Sequence, residues 1–292
     1  MVRIQTRVPP DARTAPYLGT EREGSGVVID GDGLIVTVGY LVMEAMAAEV
    51  TGRSGKPVLA TIVGFDNESG LGLLRANEKL GVRPLRIGRA GQLSEQAPVL
   101  LASAGQAQPA TVVSRRAFVG YWEYLLEDAI FTAPPLADWG GAALIGTDGR
   151  LLGIGSLQVP NAAGPRTAVP GNMFVPIDRL EPVLADLLTT GRPGGAHHPW
   201  LGLNLAPVGD GLVVMRVNAD GPAAKAGLSR GDRVLEVAGQ RVSDLADFYR
   251  RIWAQGEAGV AVPLTVEQDG QRRELRVPSV DRYRYLKLNS SY

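Results

Sequence analysis

Serines recur before the linker of this chain, at Ser25, Ser54, Ser69, Ser94, Ser103, Ser114 and Ser156, but the groups that would make one of them a nucleophile are scarce. A serine nucleophile needs a neighbouring base, and that base needs an orienting partner. The chain holds two histidines, the adjacent pair His197 and His198, and none in residues 1–196. It has no cysteine, so a thiolate route is closed. Lys56 and Lys79 leave a Ser–Lys dyad open, yet neither sits beside an apolar strand that would desolvate it and lower its pKa, and both read as surface turn residues. The two histidines point in opposite directions in an extended Pro/Gly-rich stretch. No spaced Asp/Glu cluster joins them, so neither a metal nor a cofactor is expected. Gly24-Ser25-Gly26 opens a strand rather than a helix, which argues against a phosphate loop.

The elements that would carry any site are short and numerous. The chain has 292 residues, 45% of them hydrophobic, with 37 glycines and 20 prolines. That length suggests two domains, and that composition favours many short strands joined by turns. Thirty basic and thirty acidic residues give a formal charge of zero, which supplies no electrostatic case for nucleic acid or an anionic membrane. No apolar run approaches the roughly 18–20 residues of a membrane-spanning helix. The first ten residues lack the apolar stretch of a signal peptide, so the expected compartment is cytoplasmic as the sequence stands, or periplasmic if a leader was removed. Strands are predicted at Val27–Ile29, Leu34–Val38, Val58–Val63, Gly72–Leu74, Ala97–Leu101, Ala110–Ser114, Ala143–Ile145 and Leu151–Ser156, with turns at Asp30–Gly33 and Thr147–Arg150. Asp178 is placed as the cap of a helix over Arg179–Leu188, and Thr190–Gly195 reads as a linker.

Four segments, taken in order, resemble the HtrA (Deg) family of trypsin-like serine proteases. They are Gly24-Ser25-Gly26-Val27-Val28-Ile29, Gly33 to Val42, Ser69-Gly70-Leu71-Gly72-Leu73-Leu74 and Asp138-Trp139-Gly140-Gly141. The resemblance puts Tyr40 where the family has its catalytic His, Gly70 where it has the Asp, and Trp139 where it has the Ser. Ala137 stands at the glycine of the oxyanion-hole turn, where an alanine with positive φ costs roughly 1 kcal/mol more. Asp66 and Glu68 flank the acid position. By this reading the triad is degenerate and the chain is a pseudoprotease rather than an enzyme, with Tyr40 and Trp139 either filling the cleft as core or lining a remodelled ligand site. Met43–Ala48 resembles the helical turn after the catalytic His, and Phe174–Ile177 the last barrel strand.

Beyond the linker, Gly221-Pro222-Ala223-Ala224-Lys225-Ala226-Gly227-Leu228 followed by Gly231-Asp232-Arg233-Val234-Leu235 resembles a PDZ domain of the bacterial protease type. Such a domain adds an extended peptide to a sheet edge and holds its C-terminal carboxylate in a nest of backbone N–H groups. The resemblance assigns Trp200, Leu201, Gly202 and Leu203 to the carboxylate loop, with Leu205 on the augmenting strand. Leu245, Phe248 and Ile252 fall on one face of a groove helix that also carries Tyr249 and has Ser243 as its expected cap. Val262–Glu267 and Glu274–Val277 read as closing strands around an Asp269-Gly270 turn.

The expected architecture is therefore mostly β: a trypsin-like double β-barrel followed by a smaller α+β PDZ domain. Its parts are an N-terminal segment (1–19), the trypsin-like domain (20–190), a linker (191–198), the PDZ domain (199–280) and a tail (281–292). The expected function is binding of polypeptides or their C-termini through the PDZ groove, as scaffold, adaptor or assembly subunit. An active but atypical serine endopeptidase is the alternative. Relatives of the family often trimerise through an N-terminal segment, which here (Ile4 to Leu18) is short and has Tyr17 as its aromatic residue, so a homo-oligomer remains open. The C-terminal Tyr292, after small polar residues, is a candidate ligand for the chain's own or a neighbour's groove. The alternative is a free tail.

Overall fold

The alternation Val2-Arg3-Ile4-Gln5-Thr6-Arg7 sends every second side chain inward, as a strand with one buried face requires. In the computed structural model, which describes residues 1–209 and 211–288, this segment is β1 (Val2–Arg7). Rather than forming a separate N-terminal piece, it pairs antiparallel with strands on both sides and closes a barrel. The other members are β2 (Glu21–Val28), β3 (Leu34–Val38), β4 (Ala47–Thr51), β5 (Pro57–Phe65) and β6 (Leu71–Ala76), in the order β1-β2-β3-β6-β5-β4. A second closed barrel holds β7 (Pro98–Ala102), β8 (Ala107–Gly120), β9 (Tyr124–Ala133), β10 (Ala143–Ile145), β11 (Leu151–Val159) and β12 (Gly171–Pro176), in the order β10-β11-β12-β9-β8-β7. Its core packs Leu101, Val112, Ile130, Leu144 and Phe174, all buried. Closure leaves neither barrel an open edge.

Each predicted strand of this region lies within or across one of these elements. Three strands were not predicted: β1, β4 and β9. A short α1 (Ala15–Leu18) follows β1. Two local expectations are corrected. The segment after Tyr40 is a 3-10 turn (Gly39–Leu41) leading into β4, not a helix over Met43–Ala48. Buried Arg22 donates to the carbonyls of Tyr40 and Met43, and buried Glu44 accepts from the N–H groups of Arg13 and Thr14, so side chains fix this loop. Asp178 does not cap a helix either. Its carboxylate accepts from the N–H groups of Ala90 and Gly91, and α2 (Leu184–Thr190) begins later with no side-chain cap.

The chain divides into two compact units. Among the described residues, the first comprises Met1–Ala117, Leu126–Gly194 and 287–288, and the second Phe118–Leu125 with Gly195–Leu286. The turn between β8 and β9 thus groups with the second unit. The sheet of that unit runs β13-β14-β15-β17-β18, formed by β13 (Leu203–Val208), β14 (Gly211–Val217), β15 (Arg233–Val237), β17 (Ala261–Gln268) and β18 (Gln271–Pro278). The two-residue β16 (Gln240–Arg241) pairs with β15. Its helices are α3 (Pro222–Lys225), α4 (Leu245–Trp253) and α5 (Arg282–Tyr285). Asp244, not Ser243, caps α4: its side chain accepts from the N–H of Asp247, whose carboxylate in turn accepts from the N–H of Ser243. Tyr292 lies outside the described residues. Among those described, no helix is long and apolar enough to cross a membrane.

Candidate functional site

Within the first unit, the three positions expected to correspond to a triad lie close together. Tyr40 sits in the 3-10 turn after β3, and its hydroxyl donates to the carbonyl of Ser156 at 3.0 Å. A Cβ on Gly140 would lie 3.0 Å from the same hydroxyl, so the turn that carries Trp139 lies beside Tyr40. Desolvation pushes the Tyr40 pKa up to about 12, against an opposing influence of Trp139, so the phenol is protonated at neutral pH and acts as a donor. Gly70, at φ 77°, bonds through its carbonyl to the N–H of Gly39, next to Tyr40. Asp66 does not face this group. Its carboxylate accepts from the N–H groups of Glu68 and Ser69 and shapes the turn into β6.

The turn that carries Trp139 is held by backbone bonds. Gly140 accepts from the N–H of Ser25, Gly141 donates to Gly155, and Ala142 donates back to Trp139. Gly141 takes φ 75°, and a Cβ there would lie 1.9 Å from the Ser25 carbonyl oxygen, so only glycine fits. Ala137 is not among the residues with positive φ, so the alanine avoids the left-handed backbone that would strain it.

In the second unit the geometry converges on a carboxylate. The carbonyl of Leu201 accepts from the N–H of Ala223, and that of Gly202 from the N–H of Asn218. With the carbonyls committed to that side, the N–H groups of Leu201, Gly202 and Leu203 face the other way. All three donate to the side-chain carboxylate of Glu123, at 2.9, 2.6 and 2.7 Å. Gly202 stands at φ 80°, the left-handed conformation that curls successive amides into a nest. Burial pushes the Glu123 carboxyl up to about 7, against the three amides and Arg282, which favour its charged form.

Neighbouring residues complete this arrangement. Tyr249 on α4 accepts from the N–H of Glu123 and donates to the carbonyl of Gly120. Leu205 on the edge strand β13 donates its N–H to the carbonyl of Tyr121 at 3.3 Å. Of the side chains expected to line the groove, Trp200, Leu201, Leu203, Leu205, Phe248 and Ile252 are buried, and Leu245 is half-buried. Trp200 also packs on Tyr285, with ring centroids 4.5 Å apart. The two histidines go to separate partners: His197 bonds Asp281 at 3.1 Å, and His198 stacks on Trp253. Glu123 and its role were absent from the sequence expectations.

Comparison with known proteins agrees with both units. The family model described as trypsin-like peptidase domain matches residues 24–154, and the one described as PDZ domain matches residues 199–278. In the order of these two domains the chain is similar to HtrA-type serine proteases. It is 26% identical to the serine protease Do-like HtrA of Lactobacillus helveticus, over 89% of this chain and 69% of that protein. It is 24% identical to the serine endoprotease DegS of Escherichia coli K12, over 87% of this chain and 75% of that one. Among solved structures, the HtrA-type protease AlgW with a decapeptide matches in fold with a TM-score of 0.57 and 20% identity, covering 99% of this chain and 95% of that one.

These relatives correct one expectation. The substitutions at Tyr40, Gly70 and Trp139 suggested that this HtrA-like chain is not an enzyme, but the proteins it matches along most of its length are named serine proteases and endoproteases.

Proposed function

We propose that this HtrA-like protein recognises polypeptides through the amide nest at Leu201–Leu203, holding a C-terminal carboxylate while the peptide extends along β13, and so serves as a scaffold, adaptor or assembly subunit. One observation carries this reading: three consecutive backbone N–H groups already hold a carboxylate, beside a strand at the edge of its sheet. Peptide addition to an edge strand uses these two features together. Trp200, Leu201, Gly202 and Leu203 form the carboxylate loop, and Leu205, Leu245, Phe248 and Ile252 supply the apolar lining. The test is anisotropy of fluorescein-labelled decapeptides with a free C-terminus, beside their C-terminally amidated twins. Free peptides are expected to bind at least about tenfold more tightly, the effect of losing a charged hydrogen-bonded group worth ~1.5–3 kcal/mol. Equal binding of both forms would contradict the reading.

A second reading is favoured by the names of the relatives: an atypical serine endopeptidase that uses the same nest for recognition. With no histidine in residues 1–196, its base must come from another residue type. Turnover of casein above a buffer control, followed by mapping of the modified serine, tests it. Silence of the purified chain contradicts it. The name of the Bartonella henselae relative, a probable periplasmic serine endoprotease, supports a periplasmic setting for either reading.

A further inference from the structure

Three backbone N–H groups that point at one carboxylate form a site that one carboxylate fills. In this protein the occupant is a side chain of the same chain. The segment Gly120-Tyr121-Trp122-Glu123 spans the turn between β8 and β9, and it makes two of the contacts that a bound peptide would make. The carboxylate of Glu123 enters the nest, and two residues earlier the Tyr121 carbonyl takes the N–H of Leu205 on the edge strand. Tyr249 fixes the segment from the helix side through Gly120 and Glu123. The turn is also stiffened from within, because Trp122 stacks on Tyr124 and meets Tyr121 edge-on. Glu123 itself takes φ 57°, a conformation uncommon for a non-glycine residue and consistent with a side chain held in place by its contacts.

We propose that Glu123 is an internal ligand of the amide nest, and that a polypeptide with a free C-terminal carboxylate must displace it to bind. The proposal rests on the nest being the peptide site. Two carboxylates cannot share these donors: each N–H serves one acceptor well, and like charges in a buried site oppose one another. The N–H of Leu205 is contested in the same way, so the displacing ligand has to supply both a carboxylate and an extended backbone. A short free carboxylate satisfies only the first demand and competes poorly. Such an arrangement keeps the buried amides paired when no partner is present and sets a threshold on which partners enter. If only a minor fraction of molecules has the nest open, the apparent dissociation constant is the intrinsic one divided by that fraction.

The experiment uses the full chain, as wild type, Glu123→Ala and Glu123→Gln. It measures binding of fluorescein-labelled decapeptides ending in Val, Leu, Phe or Tyr, free or amidated, and hydrogen exchange at Leu201, Gly202 and Leu203. Free decapeptides are expected to bind Glu123→Ala at least about tenfold more tightly than wild type, with Glu123→Gln between them. The three amides should exchange faster in Glu123→Ala without ligand. Equal affinity for all three proteins, with the preference for free carboxylates kept, would overturn the internal-ligand proposal and leave the nest as the peptide site. No carboxylate-dependent binding to any form would overturn the peptide-site reading. Exchange then decides occupancy by itself: faster exchange in Glu123→Ala upholds it, and unchanged exchange overturns it. Should Glu123→Ala lose its cooperative thermal transition, the same comparisons are made with Glu123→Gln.

Discussion

At the scale of single residues, Glu123 carries two opposing electrostatic loads. Burial favours its neutral form, while three backbone N–H groups and Arg282 favour the charged one, and the balance lifts its pKa from the ordinary 4.5 to about 7. Tyr249, which faces it from α4, stays protonated because burial and the nearby carboxylate push its own pKa upward. Between those two pH values the folded chain keeps a proton that the unfolded chain has released. The contribution of Glu123 to stability is therefore fully present below about pH 4.5 and is lost as pH rises through about 7, by up to ~3 kcal/mol. Urea unfolding between pH 4 and 8 is expected to show this decline in wild type and not in Glu123→Gln, and parallel pH profiles would contradict it. Tyr40→Phe is a second case. It removes the hydroxyl that bonds Ser156, so a loss of ~1–3 kcal/mol is expected in thermal unfolding. Little of this was visible in the sequence. The triad positions stood out because glycine runs flank them, whereas Glu123 lies 78 residues from the first amide it meets and follows no local motif.

At the scale of elements, local pattern and distant partners contributed differently. The runs at Leu34–Val38 and Leu151–Ser156 are apolar enough to read as strands, and the asparagine, aspartate and glycine turns that bound them are visible too. In β9 the polar pair Glu127-Asp128 interrupts the apolar run, and Asp128 is in fact occupied by Arg179 from beyond the barrel. β1 was not read as a strand, and its role depends on distant partners, because barrel closure requires β2 and β4. The cap of α4 shows the same limit on a smaller scale: Ser243 and Asp244 are both good cap residues, and only the geometry chooses Asp244. Asp244→Ala is accordingly expected to cost ~1 kcal/mol in chemical denaturation, and Ser243→Ala a few tenths at most. In the first unit, Gly141→Ala should cost at least ~2 kcal/mol, since the new Cβ would meet the Ser25 carbonyl on a left-handed backbone. A melting temperature within a degree of wild type would refute that packing argument.

At the scale of the whole molecule, the HtrA-like combination of a trypsin-like domain and a PDZ domain was readable from ordered motifs, and both family models match the segments that carry them. What the chain does with that combination depends on which groups occupy its sites. Tyr40 bonds the Ser156 carbonyl in the first unit, and Glu123 fills the nest in the second. The relatives argue for protease chemistry, and the nest argues for carboxylate recognition that either reading can use. The most direct measurement follows the backbone amide resonances of Leu201, Gly202 and Leu203 while a free decapeptide, and then its amidated twin, is added to the full chain. The account predicts that these three amides shift together with the free peptide and stay in place with the amide. Shifts confined to other parts of the chain, or the same response to both peptides, would contradict it.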